Sequence, residues 1–261
     1  MVSTHLAVIG SPIEHSKSPL IHAAAYEALG LDWDYGRYRI EADELSGFLA
    51  LRGSDWRGLS LTMPLKEAAF QLSTPSCPVA LATGVVNTLL HTEAGWEGYN
   101  TDGFGIMQAV REHSVRNFEE ISILGSGATA RSAVYAAKQI NPSAVIKLYA
   151  RRAVEIDGLS ADSLENFYSS PISGLTISTL PGSVVHPNLK VDQNASVLDV
   201  AYSPWPSKLA LNWDADGRIS GVEMLLWQAL VQVRIFFQGD GSVHLPNEPE
   251  VFQAMRASVQ A

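Results

Sequence analysis

The stretch Ile121–Pro142, ISILGSGATARSAVYAAKQINP, decides the fold. Its first residues, apolar and β-branched, read as a strand; Gly125-Ser126-Gly127 reads as a tight turn; Ala128 onward reads as a helix stopped at Asn141-Pro142. AVIKLYARR, residues 144–152, is the next strand. Strand, glycine turn, helix and strand form a βαβ unit, and in that context G-x-G-x-x-A over Gly125, Gly127 and Ala130 carries weight that the bare pattern lacks. Gly125 permits the tight turn, Gly127 lets a pyrophosphate approach the backbone, and Ala130 lets helix and strand pack closely. The unpaired N–H groups of the helix start then face the phosphates.

The end of the second strand chooses between cofactors. A site for NAD wants an acidic side chain there, about 20 residues beyond the turn, to hold a free ribose 2′-hydroxyl. This chain has Arg151 and Arg152 instead. Two guanidiniums attract a 2′-phosphate and offer a hydroxyl no acceptor, so NADP is expected, with Arg131 a third cation at the turn. Arg152 taken alone also reads as an ordinary solvated charge.

Outward from this unit, the first hundred residues alternate as well. HLAVIG, YGRYRI and GLSLTM read as strands, with helices over 19–29, over 43–52 and from Lys66. This βαβ order implies a parallel sheet with helical crossovers. GVVNTLLHT and GWEGYNTD, joined at Glu93-Ala94-Gly95, read as a hairpin on its edge. After Gly103 the pattern restarts with a helix over 104–114; LTISTLP and SVLDVAY are later strands, and apolar helices follow at 222–238 and 248–259. Two α/β units are expected, joined by a short linker near Asp102–Phe104, with a cleft there.

The chain has 261 residues, 46% of them apolar and 17% charged, which suits a soluble protein with a real core. A net charge of −9 lacks the basic field that nucleic acid or an anionic membrane needs, so a small molecule is the expected partner. No stretch reaches the about 18 apolar residues of a membrane span. The start, MVSTHLAVIG, lacks a basic, long apolar leader, and a cytoplasmic enzyme is expected. The lone Cys77 fits a reducing compartment, with no base nearby to make it a nucleophile. No metal site is expected, and a homodimer is compatible with this reading.

Two stretches supply chemistry. HSKSPLIH, residues 15–22, starts a helix: Ser18 as N-cap, Pro19 in the first turn and Gly30 past the end. That leaves Ser16 without a structural task, beside a helix N-terminus that favours an anion. SLTMPLKEAAF and NTDG place Lys66 at a helix start after a buried strand and Asp102 at the interlobe linker. Hydride arriving at a ketone carbon puts negative charge on its oxygen, which a positioned ammonium stabilises and then protonates. A neighbouring carboxylate holds that ammonium charged against the cost of burial. Each residue also reads as an ordinary surface charge.

GSPIEHSKSPLIH, LTMPLK, GVVNTL, YNTDG, GSGATAR, LDVAYSPWPSKL and GVEMLLWQA stand in one order along the chain, and over nearly its full length it resembles shikimate dehydrogenases. The resemblance implies reversible reduction of 3-dehydroshikimate to shikimate by NADPH, on the route to chorismate and the aromatic amino acids. It implies an N-terminal substrate-binding lobe over 1–103, with C-terminal helices 222–261 returning to it, and a Rossmann-type NADP-binding lobe over 104–221. By position it implies Lys66 and Asp102 as the catalytic pair, and Ser16 and Ser18 on the substrate carboxylate. It implies Thr62, Lys66, Asn87, Asp102 and Gln228 on its hydroxyls and ring, with Tyr202 lining the pocket. The cofactor side would be Gly125, Ser126, Gly127, Ala128, Thr129, Ala130, Arg131, Arg151 and Arg152, with Val200, Gly221 and Met224 near the nicotinamide.

A polyhydroxylated anion needs hydroxyl and amide partners, each worth about 1–3 kcal/mol if left unpaired on burial. Thr62, Asn87 and Gln228 are such partners, although they also read as a strand residue, a hairpin residue and a polar stop in an apolar helix. The sequence departs from the family's pattern at Ser60 and Ala150, where asparagines are usual, at Pro78, where an acid is common, and at Arg152, where a smaller polar residue is usual. Ser60 leaves open a paralogue acting on quinate or an amino-analogue. A sensor that binds metabolite or nucleotide without turnover is the other alternative, and Lys66 with Asp102 argues against it. Lys17, Glu14 and Glu223 are assigned no role.

Overall fold

Residues 4–113, 115, 118–184 and 188–260 are described by a computed structural model, so position 114 of the expected helix 104–114 lies outside the described residues. The chain forms two α/β units, Met1–Thr101 with Gln228–Ala261, and Asp102–Trp227.

In the first unit β1 (Thr4–Gly10), α1 (Ser18–Ala28), β2 (Trp33–Arg39), α2 (Leu45–Ala50), β3 (Trp56–Leu61) and α3 (Lys66–Leu72) alternate as expected. The two-residue β4 (Thr74–Pro75), α4 (Pro78–Thr83), β5 (Thr88–Thr92) and β6 (Gly95–Tyr99) complete it. The sheet order is β2-β1-β3-β5-β6-β4. Only its β2-β1-β3 half is the expected parallel sheet; β5 runs antiparallel to β3 and to β6, so the sheet is mixed. The hairpin turns through Glu93 and Ala94, with Thr92 paired to Gly95, and lies one strand in from the edge because β4 pairs beyond it.

α1 ends as its sequence requires: Gly30 takes a φ of +69°, its N–H bonds Glu27 O at 3.0 Å, and Leu31 N–H reaches Tyr26 O at 2.8 Å. This double closure satisfies the last carbonyls, and glycine enters the left-handed region without a Cβ penalty. The N-terminus differs from expectation. Lys17 is the residue at the N-cap and no side chain caps there in the usual way; the Ser16 hydroxyl, not that of Ser18, accepts a backbone N–H, that of Ser18, at 3.3 Å. Proline at the following position has no N–H to cap.

In the second unit α5 (Asp102–Glu112) and β7 (Glu120–Leu124) precede the glycine turn, and α6 (Ala128–Ile140), β8 (Val145–Ala150), β9 (Glu155–Ile156), β10 (Leu159–Ser160), β11 (Asp162–Ser163), α7 (Leu164–Ser169), β12 (Leu175–Ser178), β13 (Ser196–Asp199) and β14 (Arg218–Ser220) follow. The main sheet is parallel throughout, in the order β11-β8-β7-β12-β13-β14. Counted from β7, that is 3-2-1-4-5-6, the doubly wound dinucleotide-binding order. Ile106, Ile121, Ile123, Ala130, Val134, Leu175, Ile177 and Leu198 meet in its core.

α8 (Gly221–Gln238) runs unbroken past Trp227, and the division between units falls inside it. Met224 packs into the core of the second unit, whereas Phe236 lies over β3 of the first. A helix start therefore does not mark the boundary near 221, and α5 already begins at Asp102. α9 (Glu248–Ala257) packs against α1, so the C-terminal helices return to the N-terminal lobe.

Gly58 marks where α8 meets the sheet: a Cβ there would stand 2.4 Å from Phe236 Cε1 and 2.9 Å from Leu89 O. Gly58→Ala is expected to cost about 1–3 kcal/mol of unfolding free energy in a denaturant titration, the usual range for overpacking; an unchanged midpoint would contradict this packing.

Candidate active site

In both sheets the candidate residues follow the strands at which the winding direction reverses, where open α/β folds bind ligands. In the first unit these strands are β1 and β3. Gly10 ends β1 so close to the β3 exit that a Cβ would lie 2.3 Å from Thr62 Cγ2. Thr62 N–H bonds Ile9 O at 3.0 Å and Ser11 N–H bonds Met63 O at 2.8 Å, locking together the loops that carry Ser16 and Ser18 on one side and Thr62 and Lys66 on the other. Lys66 opens α3, and its carbonyl accepts Val86 N–H at 3.0 Å. The neighbouring Asn87 uses its carbonyl to accept Leu61 N–H at 2.7 Å. Thr62, Lys66 and Asn87 thus hang on one hydrogen-bonded frame. Ser18 is buried and Ser16 half-buried at the start of α1.

Asn87, on the approach to β5, is 1% exposed, so its amide must be satisfied internally. Its Oδ1 accepts Thr101 N–H at 2.9 Å and the Thr88 hydroxyl at 2.8 Å. Its Nδ2 donates to Thr101 Oγ1 at 2.9 Å and to Gln228 Oε1 at 3.3 Å. Two sequence-derived candidates 141 residues apart, Asn87 and Gln228, are therefore in contact. The backbone N–H of Thr101 fixes which end of the Asn87 amide is oxygen.

The network continues inward through Gln232, one turn beyond Gln228. Gln232 Nε2 donates to Thr88 Oγ1 at 2.9 Å, and its Oε1 accepts the Ser60 hydroxyl at 2.9 Å. Tyr35 donates to Ser60 Oγ at 2.6 Å. His22 Nε2 meets Gln232 Oε1 at 3.2 Å and its Nδ1 meets the Tyr26 hydroxyl at 3.1 Å, so the ring is neutral with its proton on Nε2. Burial, partly opposed by the Gln232 bond, pushes His22 down to about 3. Burial also pushes the Tyr35 phenol well above its ordinary value, with the Ser60 bond opposing it. Ser60, where the family's pattern has asparagine, spends its hydroxyl on Tyr35 and Gln232.

Sequence reasoning missed Tyr26, Tyr35, Thr88, Thr101 and Gln232. The signal was there in part: Gln228 and Gln232, and Ser18, His22 and Tyr26, repeat every four residues, which puts each set on one helix face. Lys17, left without a role, donates from Nζ to Val259 O at 3.2 Å near the end of α9. Glu14 holds Ile13 N–H on its own Oε2 at 3.0 Å, and such backbone bonds keep its carboxyl below the ordinary range. Cys77 caps α4, its Sγ accepting Ala80 N–H at 3.4 Å and Asn100 N–H at 3.3 Å, with Pro78 opening that helix.

In the second unit Asp102 is buried at the first position of α5. Gly125 has a φ of +124°, and a Cβ on it would meet Thr179 Oγ1 at 2.1 Å, so β7 and β12 close on each other there. Gly127 differs: a Cβ there would meet nothing within 4 Å, so no neighbour in the fold requires a glycine. Open space above the start of α6, at the reversal between β7 and β12, fits a pyrophosphate. Ser126, Ala128 and Thr129 line this turn, Ala130 is buried beneath it and Arg131 follows on α6. Arg151 and Arg152 are exposed directly after β8. Gly221 lies so close to Val200 O that a Cβ would stand 2.3 Å away, which ties the start of α8 to the end of β13. Val200 and Tyr202 are half-buried on the segment after β13; buried Asp199 holds this segment through Ala201 N–H at 3.2 Å and the Ser207 hydroxyl. Met224 is buried in the core of this unit.

Residues 8–89 match the shikimate dehydrogenase substrate binding domain. The shikimate dehydrogenase (NADP(+)) of Anaeromyxobacter is 38% identical over 59% of this chain and 55% of its own length. That of Methanosarcina barkeri is 33% identical over 85% of this chain and 88% of its own. A solved structure of the Thermus thermophilus shikimate 5-dehydrogenase in complex with NADP(H) and shikimate superposes with a TM-score of 0.81 at 27% identity, covering 98% of this chain and 99% of that one.

The buried His22 gives a pH signature. An unfolded chain protonates it near 6.5, the folded protein only near about 3, so between these values the unfolded state binds the extra proton. Its contribution to stability is complete above 6.5 and is lost as pH falls toward 3, with a limiting slope of about 1.4 kcal/mol per pH unit. Denaturant unfolding measured from pH 7 to 4 should show a shallower decline in His22→Asn than in the wild type; parallel curves would contradict a neutral buried ring.

Proposed function

The chain belongs to the shikimate dehydrogenase family, NADP-dependent oxidoreductases, and on that premise we propose that it interconverts shikimate and 3-dehydroshikimate, with Lys66 and Asp102 transferring the proton. The observation that carries this reading is the Asn87–Gln228–Thr101 cluster, a buried amide and hydroxyl set suited to a polyhydroxylated ring, on the same frame as Thr62 and Lys66.

When bound, NADPH supplies the hydride. The chain's own residues do the rest. Ser16 and Ser18 hold the carboxylate at the start of α1, where the helix dipole favours negative charge. Thr62, Asn87 and Gln228 orient the hydroxyls, and Tyr202 lines the ring. The Lys66 ammonium stabilises charge developing on the carbonyl oxygen and delivers the proton to it, with Asp102 the second member of the acid–base pair. The turn from Gly125 to Arg131 cradles the pyrophosphate, Arg151 and Arg152 pair with the 2′-phosphate, and Val200, Gly221 and Met224 border the nicotinamide. The unit of residues 1–101 with 228–261 binds substrate, and that of 102–227 binds cofactor. No helix among the described residues is long and apolar enough to cross a membrane. A cytoplasmic location, supported by the single reduced-type cysteine, and a homodimer belong to the same reading.

Purified protein should reduce NADP⁺ with shikimate and do so faster than NAD⁺; no turnover with either cofactor would overturn the reading. Lys66→Ala should lower kcat about 10²–10⁴-fold, the range of a lost general acid, with shikimate binding largely kept. Replacing Arg151 and Arg152 with alanine should cut the NADP⁺ over NAD⁺ preference about tenfold or more, since charge-assisted bonds to phosphate are lost; an unchanged ratio would remove both from the site. Ser16→Ala should raise KM for shikimate, and because the Ser18 hydroxyl caps nothing, Ser18→Ala should raise KM without the loss expected from a cap.

A further inference from the structure

Gln232 is 1% exposed, stands outside every substrate and cofactor role assigned above, and has all its amide bonds inside the protein. Its orientation is over-determined. Tyr35 donates to Ser60 Oγ at 2.6 Å, which sends the Ser60 proton to Gln232 Oε1 at 2.9 Å. His22 Nε2 reaches the same oxygen at 3.2 Å. With Oε1 committed as an acceptor, Nε2 must face the other way, toward Asn87 O at 3.2 Å and Thr88 Oγ1 at 2.9 Å. Thr88, having accepted there, has one proton left, and it points to Asn87 Oδ1 at 2.8 Å. Asn87 can then present only its Nδ2 face to Thr101 Oγ1 and Gln228 Oε1.

We propose that Gln232 is a positioning residue, which acts through Thr88 and the Asn87 carbonyl to reinforce the Asn87 amide orientation that the Thr101 N–H also selects, with Nδ2 on the Gln228 side. The polarity runs in a single direction, from Tyr35 and His22 through Ser60 and Gln232 to Thr88 and Asn87. Ser60 thereby serves the site at second hand: its short hydroxyl seats Gln232 beneath Asn87. The inference rests on the reading above that Asn87 binds shikimate, and the experiment separates the two.

Steady-state KM for shikimate and for NADP⁺, with unfolding midpoints, would be measured for Asn87→Ala, Gln232→Leu, Thr88→Val and the Gln232→Leu/Thr88→Val pair. Gln232→Leu and Thr88→Val should each raise KM for shikimate about five- to tenfold, the scale of one lost buried hydrogen bond, with KM for NADP⁺ unchanged. Because both act on one chain of bonds, the double variant should be no worse than the poorer single. A glutamine that only fills the core would shift the midpoint and leave KM at its wild-type value; that result, or effects that multiply in the double variant, overturns the inference. If Gln232→Leu does not fold, Thr88→Val decides alone, and an unchanged KM overturns it. A raised KM in Asn87→Ala with none in Thr88→Val sinks this inference only, whereas an unchanged KM in Asn87→Ala overturns the substrate role of Asn87 and this inference with it.

Discussion

The structure depends on the rule that a buried polar group must find a partner. Asn87, Thr88, Thr101, Gln228, Gln232, Ser60 and His22 all enter the interior of the first unit, where each unpaired group would cost about 1–3 kcal/mol. They answer that cost by bonding one another and Tyr35, so β2, β3, β5, α1 and α8 are stitched by side chains as well as by packing. A network satisfied throughout stiffens a core and selects one arrangement of it. Here the arrangement selected is the one that turns the amides of Asn87 and Gln228 toward each other. On the proposed function, the same bonds that stabilise the lobe set up its chemistry.

Around that network, topology does the placing. In the first unit the chain winds from β1 to β2 on one side and on to β3 on the other, so the loops leaving β1 and β3 diverge from adjacent strand ends. Gly10 lets those ends touch, and Ser16, Ser18, Thr62 and Lys66 follow within a few residues. In the second unit the reversal lies between β7 and β12, and Gly125 plays the matching part against Thr179. Gly127 is of another kind, for its missing Cβ would offend no neighbour. On the proposed function, a glycine with no steric reason inside the fold, at a helix start, leaves room for the pyrophosphate.

Much of this was legible in the chain. The 3.6-residue and alternating patterns gave the helices and strands of both lobes, and G-x-G-x-x-A within βαβ context pointed to the dinucleotide fold. Gly30 closed α1 as its sequence demanded. What stayed hidden were pairings across long separations: no local pattern says that Gln232 bonds Thr88, or that Tyr35 and His22 orient the glutamine. Local reading also misplaced the cap of α1, because Ser16 and Ser18 are equally suited by type and only geometry shows which hydroxyl accepts the N–H. It put the β5–β6 hairpin at the edge of the sheet, since the two-residue β4 that pairs beyond it carries no strand pattern of its own, and it put a boundary at the start of α8, inside which the division between the units falls.

The most direct test is a crystal structure of the protein with shikimate and NADP⁺ bound. The carboxylate should lie at the Ser16 and Ser18 hydroxyls, the ring hydroxyls on Asn87 Nδ2, Gln228 and Thr62, and the reacting oxygen within hydrogen-bond reach of Lys66 Nζ. Shikimate bound away from Asn87 and Gln228, or with its reacting oxygen turned from Lys66, would contradict the assignment.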